Sequence, residues 1–259
     1  MRSLRPSFGA TRASFHLLAV YVLSAVRQQH TGRVGLRPTI GGFGTPAFIR
    51  DGAAVQVRID GGVLVVDTDG DPEHLDLQQG DVSLDQAAAF VGVTLDPTVA
   101  DRFDVPPLAD PRAPLPVLEA DAAALSAWYG LGASVLDALR LDAQVDRQVP
   151  TPSQVQLWPE HFDLAFDLGD EAAGTRANVG FSPGDAFSDE PYLYVGPWAR
   201  DRIDPTTHPD LAPIWNAPFG AVLLRSQLTD DASPADEGRE AEAWIREALG
   251  LLTAPGSSS

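Results

Sequence analysis

The chain has 259 residues, 44% of them hydrophobic, enough for one large domain or two modest ones around a real core. It has no cysteine and all 18 basic residues are arginine, which excludes disulfides, thiol nucleophiles, thiolate metal sites, and any phosphate-loop, Schiff-base or pyridoxal-phosphate chemistry that needs lysine. A net charge of −18 repels phosphate backbones and anionic bilayers, so neither nucleic acid nor membrane is an expected partner, and no cofactor is expected.

Arg2, Arg5 and Arg12 precede an apolar run, Phe15–Val26, that is too short to span a bilayer and lacks a small-residue cleavage site after it. It reads as an amphipathic helix over 13–30, stopped by Gly32, in a cytoplasmic protein. Strands are expected at 33–39, 54–59, 63–67 and 73–77, the second and third joined by a turn that begins Asp60-Gly61. A short helix follows over 84–91, with Ser83 and Gln86 at capping-box spacing and Gly92 as its stop. Five prolines between Val105 and Val117 suggest an extended linker. A long helix is expected over 121–141, burying Leu125, Trp128, Gly132, Val135 and Leu139. Strands follow at 161–168, 177–181, 192–195 and 219–228, then a helix over 234–252 capped by Ser233.

The expected organisation is an α+β protein of two helix–antiparallel-sheet–helix halves packed as one globular unit. Its segments are 1–104, the linker 105–117, a second half 118–252 carrying the candidate site, and a disordered tail 253–259. Gly42–Phe48 and Gly180–Phe187 look alike, which raises an internal duplication.

Two motifs fail on physical grounds. Gly42-Phe43-Gly44-Thr45-Pro46-Ala47 fits a loose dinucleotide pattern, but no helical pattern follows to bind pyrophosphate, so a glycine-rich turn is expected. Gly180-Phe181-Ser182-Pro183-Gly184 fits the nucleophile elbow, with Asp204 and His208 in hydrolase order. The oxyanion hole needs the N–H of the residue after serine, and Pro183 has none.

The stretch 161–168 alternates. Phe162, Leu164, Phe166 and Leu168 would face a core; His161, Asp163, Ala165 and Asp167 would face outward, with Ala165 leaving room above the sheet. The candidate site is built there. His161, Asp163 and Asp185 are the candidate catalytic groups, His161 acting as general acid or base. Asn178, Ser182, Tyr192, Tyr194, Trp198 and Arg37 are the candidate ligand contacts, with Arg33 an alternative to Arg37 for an anionic group. His161, Asp163 and His208 form a weaker candidate for a non-haem metal site, against the plainer reading of a surface His–Asp pair. The functional expectation is binding of a small polar or anionic molecule over the second-half sheet. The alternatives are an enzyme using His161 and an acidic protein-interaction module; oligomeric state is left open.

The segments SFHLLAVYVLSAVR, GRVGLRPT, LWPEHFDLAFDLG, NVGFSPGD, EPYLYVGPW and IWNAPFGAVLL together resemble an uncharacterised bacterial family common in GC-rich genomes. The resemblance implies one architecture over most of the chain. It implies no catalytic residues, because the family has no assigned activity.

Overall fold

The structure, a computed structural model, describes residues 6–145, 150–199, 213–229 and 233–253. It is an α+β protein with two antiparallel sheets, each accompanied by helices. The chain divides into two compact units. The first comprises Leu4–Gly130 with Gln156–Asp163, and the second comprises Leu131–Val155 with Leu164–Ser259.

In the first unit, α1 (Phe8–Leu18) passes through a five-residue π-helical segment, Ala19–Leu23, into α2 (Ser24–Thr31). All five side chains of the π segment are buried. Gly32 ends α2 in the left-handed conformation, as its place in the sequence leads one to expect. Six strands follow: β1 (Arg37–Thr39), β2 (Gly42–Gly44), β3 (Phe48–Arg50), β4 (Ala53–Asp60), β5 (Val63–Thr68) and β6 (Asp71–Asp76). Their order is β1-β2-β4-β5-β6, with β3 paired to the other end of the β4 edge that β2 uses. Val55, Val57 and Ile59 alternate inward along β4 at 0–1% exposure. Each such burial stabilises by about 1.5–3 kcal/mol before entropy is counted. Asp51-Gly52 and Asp69-Gly70 both have positive φ at both residues, the geometry of a two-residue hairpin turn whose twist matches its strands.

Gly42–Gly44 is a strand, not the turn expected from its glycines. The reason is close approach: a Cβ on Gly44 would lie 2.5 Å from the Val57 carbonyl oxygen. Glycine lets β2 lie tight against β4, and buried Thr45 closes the end by accepting the Val57 N–H at 3.1 Å. Residues 33–35 lie outside any strand, and β1 begins only at Arg37.

Helix α3 (Leu84–Val91) has both bonds of the capping box, Ser83 Oγ accepting from Gln86 N at 3.3 Å and Gln86 Oε1 accepting from Ser83 N at 2.8 Å. A short α4 (Val99–Arg102) follows. The proline-rich stretch is extended but packed rather than solvated. Leu115 and Val117 are buried, Leu115 N donates to Val82 O, and Tyr21 donates to Pro106 O at 2.8 Å. Prolines remove donors but leave carbonyls, and the neighbouring side chains use them.

Helix α5 (Glu119–Val145) belongs to the first unit up to Gly130 and to the second from Leu131. Strand β7 (Gln156–Trp158) belongs to the first unit, with Leu157 and Leu36 exchanging backbone bonds at 2.7 and 2.9 Å. The second unit contains an antiparallel meander of β8 (Asp163–Leu168), β9 (Ala177–Ser182), β10 (Tyr192–Pro197) and β11 (Ala221–Leu224). Leu164, Phe166, Val179, Phe181, Leu193 and Val195 are at most 2% exposed. Phe181 lies against Gly132 of α5, and α6 (Pro234–Thr253) packs on β10. Both sheets contain an antiparallel meander, and the two similar segments are placed differently: Gly42–Phe48 runs from β2 to the start of β3 along the β4 edge, whereas Gly180–Phe187 runs from the end of β9 into the loop before β10. The expected tail lies outside the described residues from 254 on.

Two helices, Phe8–Thr31 and Glu119–Gln144, are long and apolar enough to cross a membrane. Part of their apolar surface is spent inside the protein: Phe15, Leu18, Val22, Leu125 and Trp128 are at most 2% exposed, whereas Leu141 is 54% exposed.

Candidate functional site

The face of the second unit's sheet opposite its apolar core carries most of the residues singled out from the sequence. Tyr192 and Tyr194 point the same way, with ring centroids 6.2 Å apart, and Phe187 and Phe219 join them edge-on. The room expected above Ala165 is filled. The Tyr194 ring lies directly over Gly180, the β9 partner of Ala165, so close that a Cβ on Gly180 would meet it at 2.6 Å. Ala165 is 4% exposed.

The polar members of this face bond to one another. Asp185 accepts from the Phe187 and Ser188 N–H groups with one oxygen, and from the Tyr192 hydroxyl at 2.5 Å with the other. Ser182, buried at the end of β9, donates to Asp185 at 3.5 Å and accepts from Gly184 N at 3.1 Å. Ser182, Asp185 and Tyr192 therefore tie the 183–188 loop to β10, and residues 183–191 form no helix. At the other end of the face the Trp198 indole N–H donates to Asn178 at 2.6 Å. The Arg176 guanidinium lies 3.6 Å above the Trp198 ring and bridges Asp167 and Glu171. The sequence pattern gave no sign of Arg176, which covers the indole with a cation from the same chain.

His161 and Asp163 do not share a strand face. β8 starts at Asp163, and Phe162 before it has a φ of 54°, which breaks the alternation. His161 is exposed in the preceding turn, whereas Asp163 is 6% exposed. His208 and Asp204 lie outside the described residues. Among the described residues no group of three histidine or carboxylate side chains is placed to hold a metal. Arg37 and Arg33 are exposed residues of the first unit.

A cavity of about 340 Å³ lies in the first unit instead, within the size range of small-molecule sites. The π segment supplies Val20 and Tyr21, and α2 supplies Ser24, Ala25, Gln28 and Gln29. Residues 93–105 form another wall, with Val99, Val105 and the half-exposed Phe103 as apolar surface and an Asp96–Arg102 ion pair at 2.6 Å. Pro159 and Glu160 complete it. A π turn widens the helix and leaves backbone groups off the regular ladder, and such segments recur where helices border functional sites.

The turn that brings Pro159 and Glu160 to the cavity is clamped. Phe162 N donates to Trp158 O at 2.8 Å. The Phe162 ring stacks on His16 at 5.1 Å and meets Phe43 and Tyr129 edge-on at 5.2 and 5.7 Å. Tyr129 donates to the Phe162 carbonyl at 2.6 Å, and His16 Nε2 donates to the Pro159 carbonyl at 2.9 Å. A non-glycine residue at positive φ costs about 1–3 kcal/mol, and this packing is what holds it. Burial lowers the His16 pKa to about 4, so the ring is the neutral Nε2–H tautomer that the Pro159 bond requires. Burial, and then Asp163, pushes the Tyr129 phenol well above its ordinary value, so it remains a donor.

The cavity residues left one trace in the sequence. Tyr21, Ser24 and Gln28 recur at i, i+3 and i+7, a polar stripe on an otherwise apolar helix. The meeting of that stripe with 93–105 and with Glu160 is tertiary. The chain matches no family model, no curated protein and no solved structure.

Proposed function

We propose that this protein binds a small molecule, and that the binding site is the cavity of the first unit. The observation that carries the reading is the combination of apolar walls with a few polar side chains, beside a π-helical segment and a turn held in a strained conformation. Pre-ordering of that kind removes part of the entropy a ligand would otherwise have to offset. The second-unit sheet is the weaker candidate, because its serine, carboxylate, tyrosine, tryptophan and asparagine are engaged with one another. A cytoplasmic setting remains part of the proposal, supported by the burial of Phe15, Leu18, Val22, Leu125 and Trp128 in the two long helices.

Thermal-shift screening of the full chain against small molecules with apolar bodies tests the reading. Ligands should raise the midpoint of the wild type, since a molecule specific for the native state stabilises it. Ala25→Trp, which puts an indole into the cavity, should melt like the wild type when ligand-free and lose the response. Equal responses in both proteins would place the binding elsewhere.

A further inference from the structure

We infer that the ligand of this cavity is an organic cation, an apolar-bodied molecule carrying a protonated amine, with Glu160 as its counter-ion. The inference rests on the small-molecule reading above and is decided by charge. Among the described residues three charged ones line the cavity: Asp96, Arg102 and Glu160. The first two neutralise each other. Arg102 donates to one Asp96 oxygen at 2.6 Å, while the other accepts from the Thr98 N–H at 2.9 Å and hydroxyl at 2.7 Å. The Glu160 carboxylate makes no hydrogen bond or ion pair among the described residues. One negative charge is left over on the wall of a largely apolar space.

That imbalance selects the sign of the ligand. A half-buried carboxylate beside apolar surface has lost part of its hydration, and a cation that enters restores a charge-assisted bond. An anion would find only Arg102, already paired with Asp96, and would have to approach Glu160. The remaining polar lining is neutral: the Gln28 and Gln29 amides and the Ser24 and Thr94 hydroxyls offer acceptors for N–H groups. Val20, Val34, Val99 and Val105 cover an apolar body, with the Phe103 ring beside them. The net charge of −18 draws cations toward the protein as a whole. The clamped turn matters here, because the backbone that carries Glu160 is set in advance and only the side chain has to order when the ligand arrives.

Three probes of one shape and different charge test this by calorimetry on the full chain: phenethylamine, phenethyl alcohol and hydrocinnamate. The amine should bind about tenfold more tightly than the alcohol and hydrocinnamate more weakly than either, the scale of one charge-assisted bond. Glu160→Gln should weaken the amine by about tenfold and leave the alcohol within about twofold, since the amide keeps the shape and removes the charge. The wild-type ranking stands as a test without the variant. Equal binding of all three, preference for hydrocinnamate, or an amine affinity unchanged in E160Q would overturn the cation and leave small-molecule binding intact. Failure of all three to bind at millimolar concentration would overturn both.

Discussion

Replacing His16 by phenylalanine should flatten the acid side of the stability curve. The ring stacks on Phe162 and donates Nε2–H to Pro159 O, and burial lowers its pKa from 6.5 to about 4. Between those values the unfolded chain binds a proton at this site and the folded chain does not. Stability therefore falls as pH drops from about 6.5 toward 4, and levels off below. Each pKa unit is worth about 1.4 kcal/mol, so the whole window amounts to about 3 kcal/mol. Phenylalanine keeps the stack and cannot titrate. It also strips the Pro159 carbonyl of a donor, a loss of about 1 kcal/mol at every pH. The two effects predict a crossing: His16→Phe is less stable than wild type by about 1 kcal/mol at pH 7 and more stable by about 2 kcal/mol at pH 4. Urea unfolding at steps between those pH values gives the difference directly, and carboxylate protonation common to both proteins cancels. A difference that stays constant across the window would show that His16 titrates normally and would refute the argument.

Gly44→Ala should destabilise by about 2–4 kcal/mol in thermal or urea melts, because the added carbon meets Val57 O and Arg58 Cβ at 2.5 Å and backbone has to move. Tyr129→Phe leaves the buried Phe162 carbonyl without its donor. The expected loss is about 1–3 kcal/mol, read from the urea midpoint. Ser83→Ala removes one bond of the capping box on α3 and should cost about 1 kcal/mol by the same measurement.

Local chemistry makes several elements legible in the amino-acid order alone. Ser83, Gln86 and Gly92 bound α3 because capping and left-handed termination use only neighbouring groups. The alternation of Val55, Val57 and Ile59 marks β4 because a strand repeats every two residues. Strand β2 is hidden for the opposite reason: Gly42 and Gly44 carry no side chains to show a pattern, and their purpose appears only beside β4. The same limit makes 161–168 misleading. Clean alternation in the letters conceals the left-handed Phe162, whose ring His16, Phe43 and Tyr129 hold from three other segments.

Composition alone ruled out thiol and lysine chemistry, and periodicity with turn residues defined the α+β class. Tertiary structure decided where space and uncompensated charge remain. It closed Tyr194 over Gly180 on the favoured face and left Glu160 at a cavity walled by residues 20–34 and 93–105. The physical reason is range: caps, turns and strand alternation act over a few neighbours, whereas a cavity is the volume that distant segments fail to fill when they pack.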